Sequence, residues 1–141
     1  MANYDASTTN NSKRSTRIFS DLNLNFTKNP ATKDVARLTD IEAVKRSVRN
    51  LVLTNRFERP FHPEIGSSVR ELLFENISPL TAVLLKDRIA EVINNFEPRA
   101  GLVDVNVNDQ PDRNEYVVTV SFYVLNSPEP TDVTVYLQRL R

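Results

Sequence analysis

The sequence predicts one α+β domain: a short N-terminal strand, two long helices with a short helix between them, then a C-terminal antiparallel β-meander. Three observations carry this. Apolar residues recur at helical spacing over 39–53 and again over 78–96. From Leu102 onward they switch to alternation with polar residues, the period of a half-buried strand. Two joints, DQPDRN and NSPEPT, divide the alternating region into three runs. Because the helices precede the sheet rather than alternating with its strands, they are expected on one of its faces.

The elements follow in order. Residues 1–17 carry too few apolar groups to offset the entropy of ordering, so they are expected to form a mobile basic tail, with 18–141 as the domain. In SDLNLNF, Leu22, Leu24 and Phe26 alternate with Asp21, Asn23 and Asn25, the pattern of a strand with one buried face. TKNPATKD reads as a loop. Thr39 and Glu42 have capping-box spacing and open the first long helix, with Ile41, Val44, Val48, Leu51 and Val52 as its apolar stripe. Lys45, Arg46 and Arg49 lie mostly off that stripe. Ser68 and Glu71 repeat the box before a short helix with Val69, Leu72 and Leu73 on one side. Ser78-Pro79 starts the second long helix, since proline at the first helical position gives up a donor that would be unpaired anyway. Its stripe is Leu85, Ile89, Val92, Ile93 and Phe96, and Pro98 stops it by disfavouring helical geometry at Glu97.

In the meander, Val103, Val105 and Val107 are expected on one face. Tyr116, Val118, Val120, Phe122 and Val124 share a face, with Val117, Tyr123 and Leu125 on the other. Val133, Val135 and Leu137 oppose Thr134, Tyr136 and Gln138. A small sheet with a second apolar face usually touches something there, a loop of its own chain or a partner.

Several chemistries are excluded by composition. Eighteen basic and eighteen acidic residues cancel, so no global field draws nucleic acid. A nucleic-acid reading would rest on Lys13, Arg14 and Arg17 of the tail alone. With no cysteine there is no disulfide, thiolate nucleophile or Cys-ligated metal, and a single histidine, His62, rules out a two-His metal site. Gly66 and Gly101 are the only glycines, too few for a phosphate loop. No cofactor is expected. No apolar run reaches membrane-spanning length and no secretory h-region follows the start, so assembly in a cytoplasm is expected. Paired carboxylates remain as an enzymatic route, with Glu64, Glu71, Glu75 and Glu97 near turns or helix ends. The absence of tryptophan for sugar stacking counts against it.

Glu97-Pro98-Arg99 is the most distinctive local arrangement. A helix ends there with unpartnered carbonyls. Proline fixes one φ between a carboxylate and a guanidinium. Arg99 either caps the helix end and pairs with Glu97 locally, or one or both reach across an interface, where a planar guanidinium suits a buried polar contact.

The stretch RPFHPEIGSSVRELLFENISPLTA, followed by INNFEPRAGL, resembles the baseplate wedge family of contractile tails, which includes the sheath-initiator subunits of myophage baseplates and a type VI secretion baseplate subunit. The family's motifs fall on Arg59, Pro60 and Phe61; on Pro63, Glu64 and Gly66; on Leu73, Phe74, Glu75 and Asn76; on Ser78, Pro79 and Leu80; and on Glu97, Pro98 and Arg99. His62 stands where aspartate is expected in relatives. The resemblance spans roughly Leu38 to Leu140 and leaves the polar tail outside it.

The resemblance implies a structural subunit rather than an enzyme, similar to the sheath-protein domain that links subunits by strand exchange. It implies a place in the virion tail baseplate, in a sixfold hetero-oligomer around the tail tube. The partners implied are other wedge subunits, whose core bundle the Glu97-Pro98-Arg99 corner would meet, the tail sheath protein, and tube or hub proteins, with no nucleic acid and no membrane. Some relatives carry a tail-lysozyme label; a peptidoglycan hydrolase acting through paired carboxylates is the alternative. In physical terms, sheath linkage is β-augmentation of an open sheet edge, with Tyr123, Leu125 and Tyr136 as candidate contact residues. Arg139, Arg141 and the NSPEPT prolines would discourage promiscuous edge pairing. RPFHPEIG reads as a stiff, extended connector, with Phe57 and Phe61 anchored in the core.

Overall fold

The computed structural model describes residues 18–125 and 127–140. In chain order the elements are β1 (Ser20–Leu22), β2 (Arg37–Thr39), α1 (Asp40–Leu53), α2 (Val69–Leu72), α3 (Pro79–Phe96), β3 (Ala100–Gln110), a 3-10 turn (Pro111–Arg113), β4 (Glu115–Val124) and β5 (Pro130–Gln138). The expected tail, 1–17, lies outside the described residues, as do Asn126 and Arg141. No helix among the described residues is long and apolar enough to cross a membrane.

The alternation in β4 sets the plane of the domain. Tyr116, Val118, Val120, Phe122 and Val124 are all buried on one face. β3, β4 and β5 form an antiparallel meander in that order, as expected. The β4–β5 register runs without a shift from Glu115↔Gln138 to Tyr123↔Pro130. Val133, Val135 and Leu137 of β5 join the same core, and α1 and α3 cover it with Val44, Val48, Val52, Leu85, Ile89 and Ile93. Each such side chain contributes about 1.5–3 kcal/mol by leaving water. Both long helices lie on this one face.

α3 obeys its local signals. Ser78 Oγ accepts from the Thr81 N–H at 3.2 Å, Pro79 occupies the first position, and the helix ends at Phe96. The Ser78 N–H reaches the Tyr116 hydroxyl at 3.3 Å, tying the helix start to the sheet.

The other two capping boxes do not form. Thr39 has N-cap geometry but makes no side-chain cap, because Asp40 follows it with φ +49° and turns its carboxylate to the N-terminal segment. That carboxylate accepts from the Ile18 N–H at 2.9 Å and the Phe19 N–H at 3.3 Å. Glu42 pairs with Lys45 at 3.3 Å instead of reaching back. Ser68 is not in extended geometry and also makes no cap. Its neighbour Ser67 is the bonded hydroxyl, donating to the Val52 carbonyl at 2.6 Å.

Two strand expectations are overturned. β1 covers only Ser20–Leu22 and pairs with β2, which the alternation did not reveal. The expected apolar face is not buried: Leu22, and Leu24 and Phe26 in the turn beyond the strand, are more than half exposed, whereas Asn23 is buried. The reason is polar anchoring from within. Asn23 Oδ1 accepts the Asn25 N–H at 3.0 Å and its Nδ2 donates to Thr27 Oγ1 at 2.8 Å. In β3, the register slips between Leu102 and Asp104, so Val103 is extruded to solvent while Val105 stays buried. A bulge adds one residue and flips the side chain it carries.

Candidate partner-docking surfaces

The chain turns sharply where α3 meets β3. Glu97 is 3% exposed despite its charge. A carboxylate that deep must be paired. Arg99 provides the pairing with both arms of its fork: Nε to Oε1 at 2.7 Å and Nη2 to Oε2 at 2.9 Å. The Ser47 hydroxyl of α1 makes a second, short hydrogen bond to Oε2. The other face of the guanidinium serves β1, with Nη1 lying 3.3 Å and 3.2 Å from the two Asp21 oxygens. Phe19 stacks beneath it, 5.6 Å from ring centre to guanidinium carbon. Burial pushes the Glu97 carboxyl up, but hydrogen bonds from Arg99 and Ser47 and the guanidinium charge outweigh it and hold the group below its ordinary value. The Glu97 carboxylate holds Arg99 all the more firmly protonated.

The local pairing weighed from the sequence is therefore present. Its further partners, Ser47 and Asp21, came from elements no spacing rule connects to residues 97–99. Pro98 is exposed at the apex, and a quarter of the Arg99 side chain remains accessible.

The segment between α1 and α2 corrects the expected extended connector. It is a closed loop of turns. The Ser67 N–H donates to the Thr54 carbonyl at 2.7 Å, and the Phe57 N–H to the Pro63 carbonyl at 2.9 Å. A parallel bridge, Asn55↔Ser67, brings its ends together. Gly66 sits at φ +154°, and a Cβ there would lie 2.5 Å from the Asn55 carbonyl oxygen, so only glycine fits the closure. Arg59, Pro60, Pro63 and Glu64 are exposed. His62 meets Glu64 at 3.1 Å in the open.

Phe57 and Phe61 do not anchor in the core. They are 82% and 97% exposed, with φ of +65° and +69°. The turns that close the loop place both aromatic rings outward.

The LFEN motif has a visible structural role. The Arg139 guanidinium donates from Nε to the Glu75 carbonyl at 3.1 Å and from Nη2 to Asn76 Oδ1 at 2.7 Å. The Leu140 N–H donates to the Leu73 carbonyl at 2.9 Å. The segment after β5 is thereby tied to the turn that follows α2, and Arg139 is a tether rather than the expected guard of the sheet edge. Phe74 is 59% exposed. Arg141, the other expected guard, lies outside the described residues.

Tyr123, Leu125 and Tyr136 all lie on the outer side of the sheet, 45%, 58% and 64% exposed. The edge of β5 is unpaired among the described residues. Its outward groups can be assigned. The Arg139 N–H bonds the Asn114 carbonyl, so in an unshifted antiparallel ladder every second residue before it, from Leu137 back to Thr131, also faces β4. The backbone groups of Asp132, Thr134, Tyr136 and Gln138 point to the open side.

Residues 39–129 match the family described as Baseplate wedge protein gp25. The chain belongs to this family. It is 33% identical over 113 residues to the Baseplate wedge protein gp25 of Enterobacteria phage T4, covering 80% of this chain and 85% of that protein. Among solved structures, the fold is similar to a subunit in the baseplate of the anti-feeding prophage (TM-score 0.60, 23% identity, 87% of each chain). It is also similar to a Geobacter sulfurreducens protein labelled a tail lysozyme (TM-score 0.64, 19% identity, 70% of this chain and 89% of that one). Membership makes the chain a structural wedge subunit of a phage tail baseplate, part of the virion.

Proposed function

We propose that this wedge subunit is non-catalytic and initiates sheath assembly. An extended arm of the first sheath ring adds to the open edge of its sheet, while the Glu97-Pro98-Arg99 corner meets the core bundle of neighbouring wedge subunits in a sixfold ring around the tube. The observation that carries the reading is the edge of β5. It offers four outward-facing backbone positions, 132, 134, 136 and 138, in unbroken register, and main-chain groups of this kind accept an added strand. The outer-face residues Tyr123, Leu125 and Tyr136 would then meet the partner's alternate side chains.

Hydrolysis by paired carboxylates has no comparable support. A general acid needs a raised pKa, and Glu97 is held below its ordinary value. Glu64, Glu71 and Glu75 are exposed at the surface.

Thr134→Pro tests the reading. It removes one outward N–H and leaves the β4 side of the strand intact, a position where proline is tolerated. Wild-type protein should shorten the lag of sheath polymerisation in vitro. The folded variant should fail to do so. Equal seeding by both would remove β5 as the acceptor.

A further inference from the structure

The two edges of the sheet are not equivalent. β3 carries the bulge after Leu102, and Lys86 of α3 closes over it with Nζ 2.8 Å from Asp104 Oδ1. Exposed Asp104, Asn106, Asn108 and Asp109 line the strand. Bulges, charge and a covering helix are the usual means of blunting an edge. β5 has no bulge and only one charged side chain along 131–138, Asp132; its one proline, Pro130, is the first residue of the strand.

The ground beside β5 is also chemically polarised. α1 lies against this strand, and two hollows open between them and along its end. The first, about 300 Å³, is lined by Lys45, Arg46, Arg49 and Glu42 together with Val133 and Thr134. Lys45 is shared with Glu42, but Arg46 and Arg49 have no carboxylate partner among the described residues. The second, about 200 Å³, is lined by Val52, Leu53, Leu73, Tyr136, Leu137 and Leu140, with Arg70 also contributing. Leu53 is 47% exposed on this helix side, an apolar surface of the sort a buried anchor covers.

We infer that β5 is the acceptor edge and that it selects an extended segment bearing an acidic residue and an aliphatic residue four positions apart. This rests on the augmentation reading above and adds the chemistry of the occupant. Residues directly opposite one another in a ladder share a face. Partners of Val133 and Leu137 would both point to the helix side, one beside the arginines and the other at the apolar hollow. Four residues of strand span about 13 Å at 3.3 Å each, and four is an even number, so both side chains emerge on the same face. A strand antiparallel to β5 reaches the apolar hollow first and the basic one second.

The test uses the full chain with a ten-residue segment joined after Arg141 through a Gly/Ser linker, which returns antiparallel along β5 at high effective concentration. One segment carries Leu at its third position and Glu at its seventh; the control carries Lys at the seventh. Amide exchange at Thr134, Tyr136 and Gln138 reports pairing. The Glu segment should slow exchange about tenfold more than the Lys segment, and Arg46→Glu with Arg49→Glu should reverse that order. Equal protection by Glu and Lys would overturn the acidic preference and leave augmentation standing. Protection at β3 amides instead would overturn the edge assignment. No protection by either segment would overturn augmentation itself.

Discussion

Arg99 grips the carboxylate of Glu97, two residues before it, with two hydrogen bonds of 2.7 Å and 2.9 Å, and presents its remaining nitrogen to Asp21 at the far end of the chain. With the Ser47 hydroxyl of α1 also donating to Glu97, the pair joins the end of α3, the flank of α1 and the N-terminal strand. A pairwise local cap would hold only the first of these.

Removing Glu97 should be costly because it strands Arg99 and Ser47. Glu97→Ala should lower stability by about 2–3 kcal/mol, the scale of charge-assisted hydrogen bonds at a buried position. Asp21→Ala should cost less than about 1 kcal/mol, since its pair with Arg99 is partly screened by solvent. Urea unfolding of both single variants and the double variant gives their coupling. If wedge subunits also contact this corner, Arg99→Ala should lose their capture in a pull-down beyond what its fall in stability explains.

Acid should weaken the fold through the same residue. The folded Glu97 pKa lies below its ordinary value of 4.5. Between the two values the unfolded chain binds more protons, so stability rises with pH there. The contribution is complete above the unfolded pKa and is lost as pH falls through the folded one. Glu97→Gln should flatten this part of a plot of urea midpoint against pH. An unchanged slope would assign the acid sensitivity to other carboxylates.

Gly66→Ala should destabilise by at least about 2 kcal/mol, combining a forbidden φ with a backbone collision. The damage should be local in amide exchange, centred on Asn55 and Ser67, whose bridge the glycine permits.

Phe61→Gly should do the opposite of a core deletion. The side chain is 97% exposed and its backbone is left-handed, so glycine relieves strain of about 1 kcal/mol and gives up almost no burial. Glycine's greater freedom in the unfolded chain offsets part of that gain. Thermal unfolding should show little change or slight stabilisation; a large loss would mean that the ring is packed.

Where local chemistry had no competitor, the sequence was legible. Ser78-Pro79 and Pro98 set the limits of α3, and strict alternation set the faces of β4 and β5. It misled where a distant group intervened. Thr39 could not cap because Asp40 is claimed by the Ile18 and Phe19 amides, 22 and 21 residues away. Leu22, Leu24 and Phe26 had a perfect strand pattern, yet the strand stops at Leu22 and the turn beyond it is organised around the buried Asn23. Alternation reports that two faces differ, not which one the fold covers. The Val103 bulge left no mark in an apolar alternation that continued across it. At the candidate site, the Glu97–Arg99 pair could be anticipated from its spacing, whereas Ser47, Asp21 and the Arg139 tether have no sequence signature, being contacts between elements far apart in the chain.

The separation of 78 positions along the chain between Asp21 and Arg99 has a kinetic consequence. The meander is built from neighbouring hairpins, whose ends meet quickly, while the latch on β1 must wait for a long loop to close around an already folded helix–sheet corner. β1 is then the last element on and the first to leave. Asp21→Asn should speed unfolding and leave the refolding rate unchanged in a chevron analysis, the signature of a contact made after the transition state.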